Sequence, residues 1–139
     1  MSLNSLLKRM KTLENTRKAE IFMAQSMLAI TSDRIFTKGK DSNNSEIGKY
    51  SLGYQKQRVK EGYPNSSKVI LQATRQMVND WSVVPTRDGI GLGFKNQHNA
   101  DKSGWVEDTY GKDIFKHTPQ EIKTATARFN QAVKKIING

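Results

Sequence analysis

Neither glycine nor proline occurs before Gly39. Within that stretch Leu3, Leu6, Leu7, Met10 and Leu13 fall at three- and four-residue steps, and so do Ile21, Ala24, Met27 and Leu28. Apolar residues at that spacing, without helix breakers, predict one long helix over residues 3–36. Glu14 and Arg17 interrupt the stripe between its two halves. Such a helix reaches ~50 Å. The chain has 139 residues, enough for a single domain with a modest core. The helix is longer than that globule needs, so part of it is expected to pack on another chain.

Composition narrows the classes. Hydrophobic residues make up 35% and the mean hydropathy is -0.70, so part of the chain is not expected to pack. No apolar run approaches the ~20 residues that span a bilayer. Charges from Lys8 onward interrupt any signal-peptide core, and the expectation is a cytoplasmic product without membrane contact. The absence of cysteine excludes disulfides and thiolate zinc sites, and His98 and His117 are too few for a histidine-rich metal centre. The net charge is +10, unevenly spread. Residues 1–60 carry 12 basic and 5 acidic groups, residues 61–111 carry 5 and 6, and residues 112–139 carry 6 and 2. Basic ends suit an anionic partner such as nucleic acid, or a solvated surface.

After the first helix, residues 37–50 read as an exposed polar loop, with only Ile47 and Tyr50 large and apolar. A loop of this length is more often functional or disordered than a plain connector, and the sequence leaves open whether it orders outside an assembly. Residues 51–67 are mixed, with Tyr50, Tyr54, Val59 and Tyr63 as anchors. Residues 68–76 fit a short helix or an extended entry into the next segment. Met77, Trp81 and Val83 then alternate with Asp80 and Ser82, and Ile90, Leu92 and Phe94 alternate with Gly91 and Gly93. Between these runs PTRDG, residues 85–89, is turn chemistry, so a β-hairpin is expected. Residues 99–110 fit a helix weakened by Gly104. Thr118, Pro119 and Glu121 supply an N-cap, a first-turn proline and a capping-box glutamate. They introduce a final helix striped by Ile122, Ala125, Phe129, Val133 and Ile136 and ended by Asn138-Gly139. The fold class is therefore α+β, one domain over 1–139. A small antiparallel sheet, the central hairpin, packs against the long N-terminal helix and the C-terminal helix. Loop 37–50 precedes an α+β core over 51–139.

The motifs carry little catalytic chemistry. A dinucleotide fingerprint, G-x-G-x-x-G, starting at Gly89 and Gly91 needs glycine where Phe94 stands, and no helix is expected directly after it. Gly91 and Gly93 instead make a bare strand face, expected to admit the chain's own helix or a neighbouring subunit's strand. Glu107, Asp108 and Asp113 are the one acidic cluster, as a metal-dependent nuclease would need. Adjacent residues on a helix diverge by roughly 100°, however, so Glu107 and Asp108 do not converge. Trp81 and Trp105 read as core or interface anchors. No catalytic, cofactor-binding or metal-ligating residue is assigned.

The order of elements carries a resemblance. Ile35-Phe36 and Gly39 end the first helix, and Ile47-Gly48, Tyr50-Ser51, Tyr54 and Arg58 come after the loop. Leu71-x-x-Thr74-x-x-Met77 leads to Trp81, and the hairpin to Gly91, Gly93 and Phe94. Ala100, Lys102, Val106-Glu107, Tyr110-Gly111, Ile114-Phe115 and the Thr118–Glu121 box complete the set. Over roughly residues 30–125 this resembles the tail-completion or neck proteins (virion morphogenesis proteins) of tailed bacteriophages, and most nearly those of Bacteroidetes phages, including crAss-like phages. Where that family commonly carries Thr-Gly, this chain has Thr74-Arg75.

The resemblance implies a structural virion protein and not an enzyme. It would be made in the host cytoplasm and act in the virion neck, as a homo-oligomeric ring around the DNA channel. Its partners would be portal-side adaptor and tail proteins, with non-specific contact to the genomic DNA. Candidate inter-subunit or channel residues are Lys38 and Lys40 in the loop and Pro85, Thr86, Arg87, Asp88 and Gly89 at the hairpin tip. The alternative is a basic nucleic-acid-binding protein, and beyond it a metal-dependent nuclease.

Overall fold

A computed structural model describes residues 2–72, 75–87 and 89–138. Thr74, Asp88 and Gly139, each named above from the sequence, lie outside the described residues. The elements are helix α1 (Leu3–Ser32), a π-helical turn (Asp33–Thr37), α2 (Leu52–Lys60), α3 (Gln76–Asp80), strands β1 (Trp81–Thr86) and β2 (Gly89–Phe94), α4 (Gln97–Tyr110) and α5 (Pro119–Asn138). The α+β arrangement agrees with the expectation: a long N-terminal helix, an antiparallel hairpin and a C-terminal helix pack together. α1 is the shared element, with α5 along it and both strands against it.

α1 starts where the Ser2 side chain accepts a hydrogen bond from Ser5 N, at 3.1 Å. Its last turn widens into the π-helical segment, where Arg34, Ile35 and Phe36 are all buried. Three consecutive buried residues on a helix require neighbours on most of its sides, since each step turns by roughly 100°. Those neighbours are the core residues Ile47, Val69, Met77, Trp81 and Ile114.

β1 and β2 pair antiparallel from Trp81↔Phe94 to Thr86↔Gly89. At the inner end Trp81, Phe94 and Phe115 meet with ring centroids 5.0–5.7 Å apart. The Trp81 indole Nε1–H donates to Thr31 Oγ1 at 2.9 Å, which ties the hairpin to α1. The bare face of β2 is filled by its own partner strand. A Cβ on Gly91 would lie 2.8 Å from Thr86 Cγ2, and one on Gly93 3.3 Å from Val84 Cγ2. The glycines thus make room for diagonal β-branched neighbours on β1 rather than for a helix of this chain. A helix does come soon after, since α4 begins at Gln97. Even so, among the described residues β2 pairs only with β1, antiparallel, and not in the parallel strand–helix unit of a dinucleotide site.

Other boundaries moved. The mixed stretch after residue 50 contains α2, capped by Ser51, whose hydroxyl accepts from Tyr54 N. The residues before Trp81 form the short helix α3 and not strand, so β1 starts at Trp81 rather than Met77. Asp80 ends α3, and its carboxylate accepts from Asn96 N and Asn99 Nδ2, holding the start of α4. α4 is helical through Gly104, whose position faces open space. Loop 37–50 is the largest departure. Asp41 and Ser42 are buried; Asp41 Oδ1 accepts from Asn43 N and Ser45 N at 2.9 Å, and Ser42 N donates to Asp113 O at 2.8 Å. Its polar side chains satisfy the loop's own backbone, so the single chain orders it without neighbours.

α5 begins with the expected capping box. Thr118 N donates to Glu121 Oε1 at 2.8 Å and Glu121 N to Thr118 Oγ1 at 3.0 Å. The other carboxylate oxygen of Glu121 accepts from Arg34 Nε at 2.9 Å. The remaining Arg34 donors reach the carbonyls of Lys40, Ile114 and Lys116. Arg34 therefore joins the π-helical turn, the loop and the start of α5. Nearby, burial holds the His117 imidazole below the ordinary histidine pKa; the Glu121 charge opposes this and the Arg34 charge adds to it. As pH falls below about 6.5 the unfolded chain takes up a proton that the folded chain resists, so stability declines until the folded pKa is passed. Urea midpoints are expected to be lower at pH 5.5 than at pH 7.5, and His117→Gln should flatten that difference. An unchanged difference in the variant would assign the pH response elsewhere.

Candidate assembly surfaces

The first turns of α1 stand away from the rest of the chain. Every described residue from Ser2 to Glu14 is exposed, and burial begins in earnest at Ala19. Leu3, Leu6, Leu7, Met10 and Leu13 nevertheless keep the spacing of a packing stripe, with Leu3 70% and Leu13 71% exposed. An isolated helix this short is marginal in water. Lys8, Arg9 and Lys11 add positive charge to it. This segment is an amphipathic, basic helix without a partner among the described residues.

A second exposed face, centred on an aromatic ring, lies on α4. Trp105 is 59% exposed, with the His98 ring 6.3 Å away. Asp101 and Lys102, four and three residues before it, and Asp108, three after it, share its side of the helix. An indole exposed to this degree beside carboxylates contributes nothing to the core, which is built around Trp81. The two tryptophans thus divide the roles between them: one is core, the other surface.

The sequence-selected residues fall into two groups. Lys38 is exposed, with Nζ 3.2 Å from Asp33 Oδ2. Lys40 is half-buried; its N–H donates to Arg34 O at 2.9 Å and its carbonyl accepts from Arg34 Nη1 at 3.1 Å. Its backbone is thus part of the fold's junction. Pro85, Thr86, Arg87 and Gly89 are exposed at the distal end of the hairpin. Among the described residues no hydrogen bond or ion pair joins the two groups. The acidic cluster has a local use: Glu107 Oε2 accepts from Ile114 N at 2.8 Å and holds the turn after α4. Among the described residues no group of three or more acidic or histidine side chains gathers to hold a metal. None of the described helices is long and apolar enough to cross a membrane.

Sequence reasoning missed Arg34 as a buried structural hub. It treated Glu121 only as a capping residue, because the pairing spans 87 positions and leaves no local signal. Together the fold and these surfaces define a small α+β protein with an unpartnered amphipathic helix. No family model, curated protein or solved structure matches the chain.

Proposed function

We propose that the chain is a structural subunit of an oligomeric ring, of the kind that forms the neck of a tailed phage virion between the portal side and the tail. The observation that carries this reading is the exposed stripe from Leu3 to Leu13. An apolar helix face of this kind marks a contact with another macromolecule. The basic α1 segment and the Trp105-centred face of α4, which carries Asp101 and Asp108 beside Lys102, are unlike surfaces on different elements. A contact between unlike surfaces is head-to-tail, and such contacts close into rings when the rotation per subunit permits. The exposed hairpin tip, with Arg87, supplies a second contact in the same reading, and the basic surface suits DNA in the channel.

Native mass measurement and sedimentation at high concentration test this. The wild-type chain is expected to form a closed oligomer. Leu6→Ser/Leu13→Ser should reduce it to monomer, and its unfolding midpoint should match that of the wild type at dilutions where the wild type has dissociated, because neither side chain is buried in the subunit. Trp105→Ala should have the same effect from the other side, and Arg87→Ala a weaker one. A wild-type monomer at all concentrations, or an oligomer indifferent to both α1 and α4 variants, defeats the reading. The net charge of +10 favours a second reading, a nucleic-acid-binding protein. Tight DNA binding with a steep salt slope and a footprint preference would support it over the ring.

A further inference from the structure

Between the N-terminus of α2, the segment before α3 and the flank of α4 lies a cavity of about 440 Å³. Four cations from separate parts of the chain line it: Lys49, Arg58, Arg75 and Lys102. No carboxylate stands among its described lining. Like charges gathered without a counter-charge repel each other.

Arg58 sharpens the point. It is 1% exposed, yet it pairs with no carboxylate among the described residues. Its Nη2 donates to the carbonyls of Pro64 and Gln72 at 3.1 and 2.8 Å, and its guanidinium lies 4.6 Å from the Tyr50 ring centroid. Its Nε, also buried, has no partner. Arg34, the other buried arginine, has its charge matched by Glu121. A buried cation without an anion is costly, and an anion entering the cavity would offset that cost.

The backbone at the rim adds an independent observation. Leu71 and Arg75 both line the cavity and both adopt left-handed φ angles, 52° and 66°. That conformation favours glycine. An arginine kept there places a charge at the rim against a backbone preference, the kind of strain that gathers at ligand sites.

We propose that this cavity binds a phosphate group carried by a nucleotide. Four cations suit the charge of a phosphate, and Tyr54, partly exposed in the wall, supplies an aromatic ring for a base. The source of the phosphate is a free nucleotide or a nucleotide within a strand. The site involves no residue of the α1 stripe and does not rest on the ring reading.

Calorimetry and amide chemical-shift mapping on the full chain test it, with inorganic phosphate, thymidine monophosphate, thymidine, a thymidylate oligonucleotide and a glutamate-rich peptide. Phosphate should shift the amides of Lys49, Arg75 and Lys102. Thymidine monophosphate should bind at least about tenfold more tightly than thymidine. Arg75→Gly should weaken phosphate binding by about tenfold while raising the unfolding temperature of the unliganded chain, a combination that a merely structural arginine would not give. Lys102→Gln should weaken binding with little effect on unfolding. The Leu6→Ser/Leu13→Ser variant should bind as wild type. Binding by the monophosphate assigns a free nucleotide, and binding by the oligonucleotide alone assigns a strand. Affinity unchanged in both Arg75→Gly and Lys102→Gln, or a peptide that binds as tightly as the phosphate probes, overturns the proposal.

Discussion

Glu121→Gln should destabilise the fold by about 3–5 kcal/mol, the cost of leaving a buried arginine without its anion. Glutamine still reaches Thr118 N, so the N-terminal box of α5 survives, but its amide presents a donor to Arg34 Nε. The side chains of both partners are at most 6% exposed, so water cannot replace the lost carboxylate oxygen. Arg34→Met should cost a similar amount by stranding the carboxylate. The double variant should be less damaged than the sum of the two, because it removes both charges together. Urea unfolding of the four proteins reads this directly. Additive losses would mean that the ion pair is not coupled and that Arg34 acts only through the carbonyls it binds.

Gly39→Ala should cost about 3 kcal/mol, from two separable sources. Gly39 has φ +64°, and a Cβ there would be driven against the carbonyl oxygen of Val69 and within 3.2 Å of Ile70 Cγ2. Neither neighbour can retreat easily, since Val69 is fully buried and its N–H is bonded to Gly48 O. Gly62 separates the two sources. Its φ is +79° but nothing lies within 4 Å of a Cβ, so Gly62→Ala should lose only the left-handed conformational term, about 1 kcal/mol. Equal losses at the two glycines, measured by denaturant unfolding, would show that packing against Val69 contributes nothing.

The assembly surfaces and the cavity differ in how far the sequence announced them. The excess length of α1 was visible in its spacing alone, because a heptad-like stripe without breakers has few other outcomes. That its first half stays bare depends on where α5 ends its contact along α1. Trp105 was recognisable as an anchor, but core and surface could not be told apart until Trp81 filled the core position under Thr31. The four cations of the cavity are scattered from Lys49 to Lys102, and nothing in their spacing brings them together. Arginine itself gives no sign of the left-handed backbone at Arg75; the one hint was the glycine that the resembled family commonly carries at that place.

The sequence by itself determined the local grammar. The long first helix, the capped last helix and the hairpin each rest on periodicity, capping or turn chemistry within a few residues, although Pro85, Thr86 and Gly89, expected in the turn, belong to the paired strands. Tertiary structure alone decided what the polar residues are for. Loop 37–50 folds onto its own backbone and Asp113, Glu121 serves Arg34 as well as Thr118, and Gly91 and Gly93 make room for Thr86 and Val84. The physical reason is range. Backbone preferences act over a few residues, whereas a buried charge or a bare glycine face is defined by whichever distant segment packs against it.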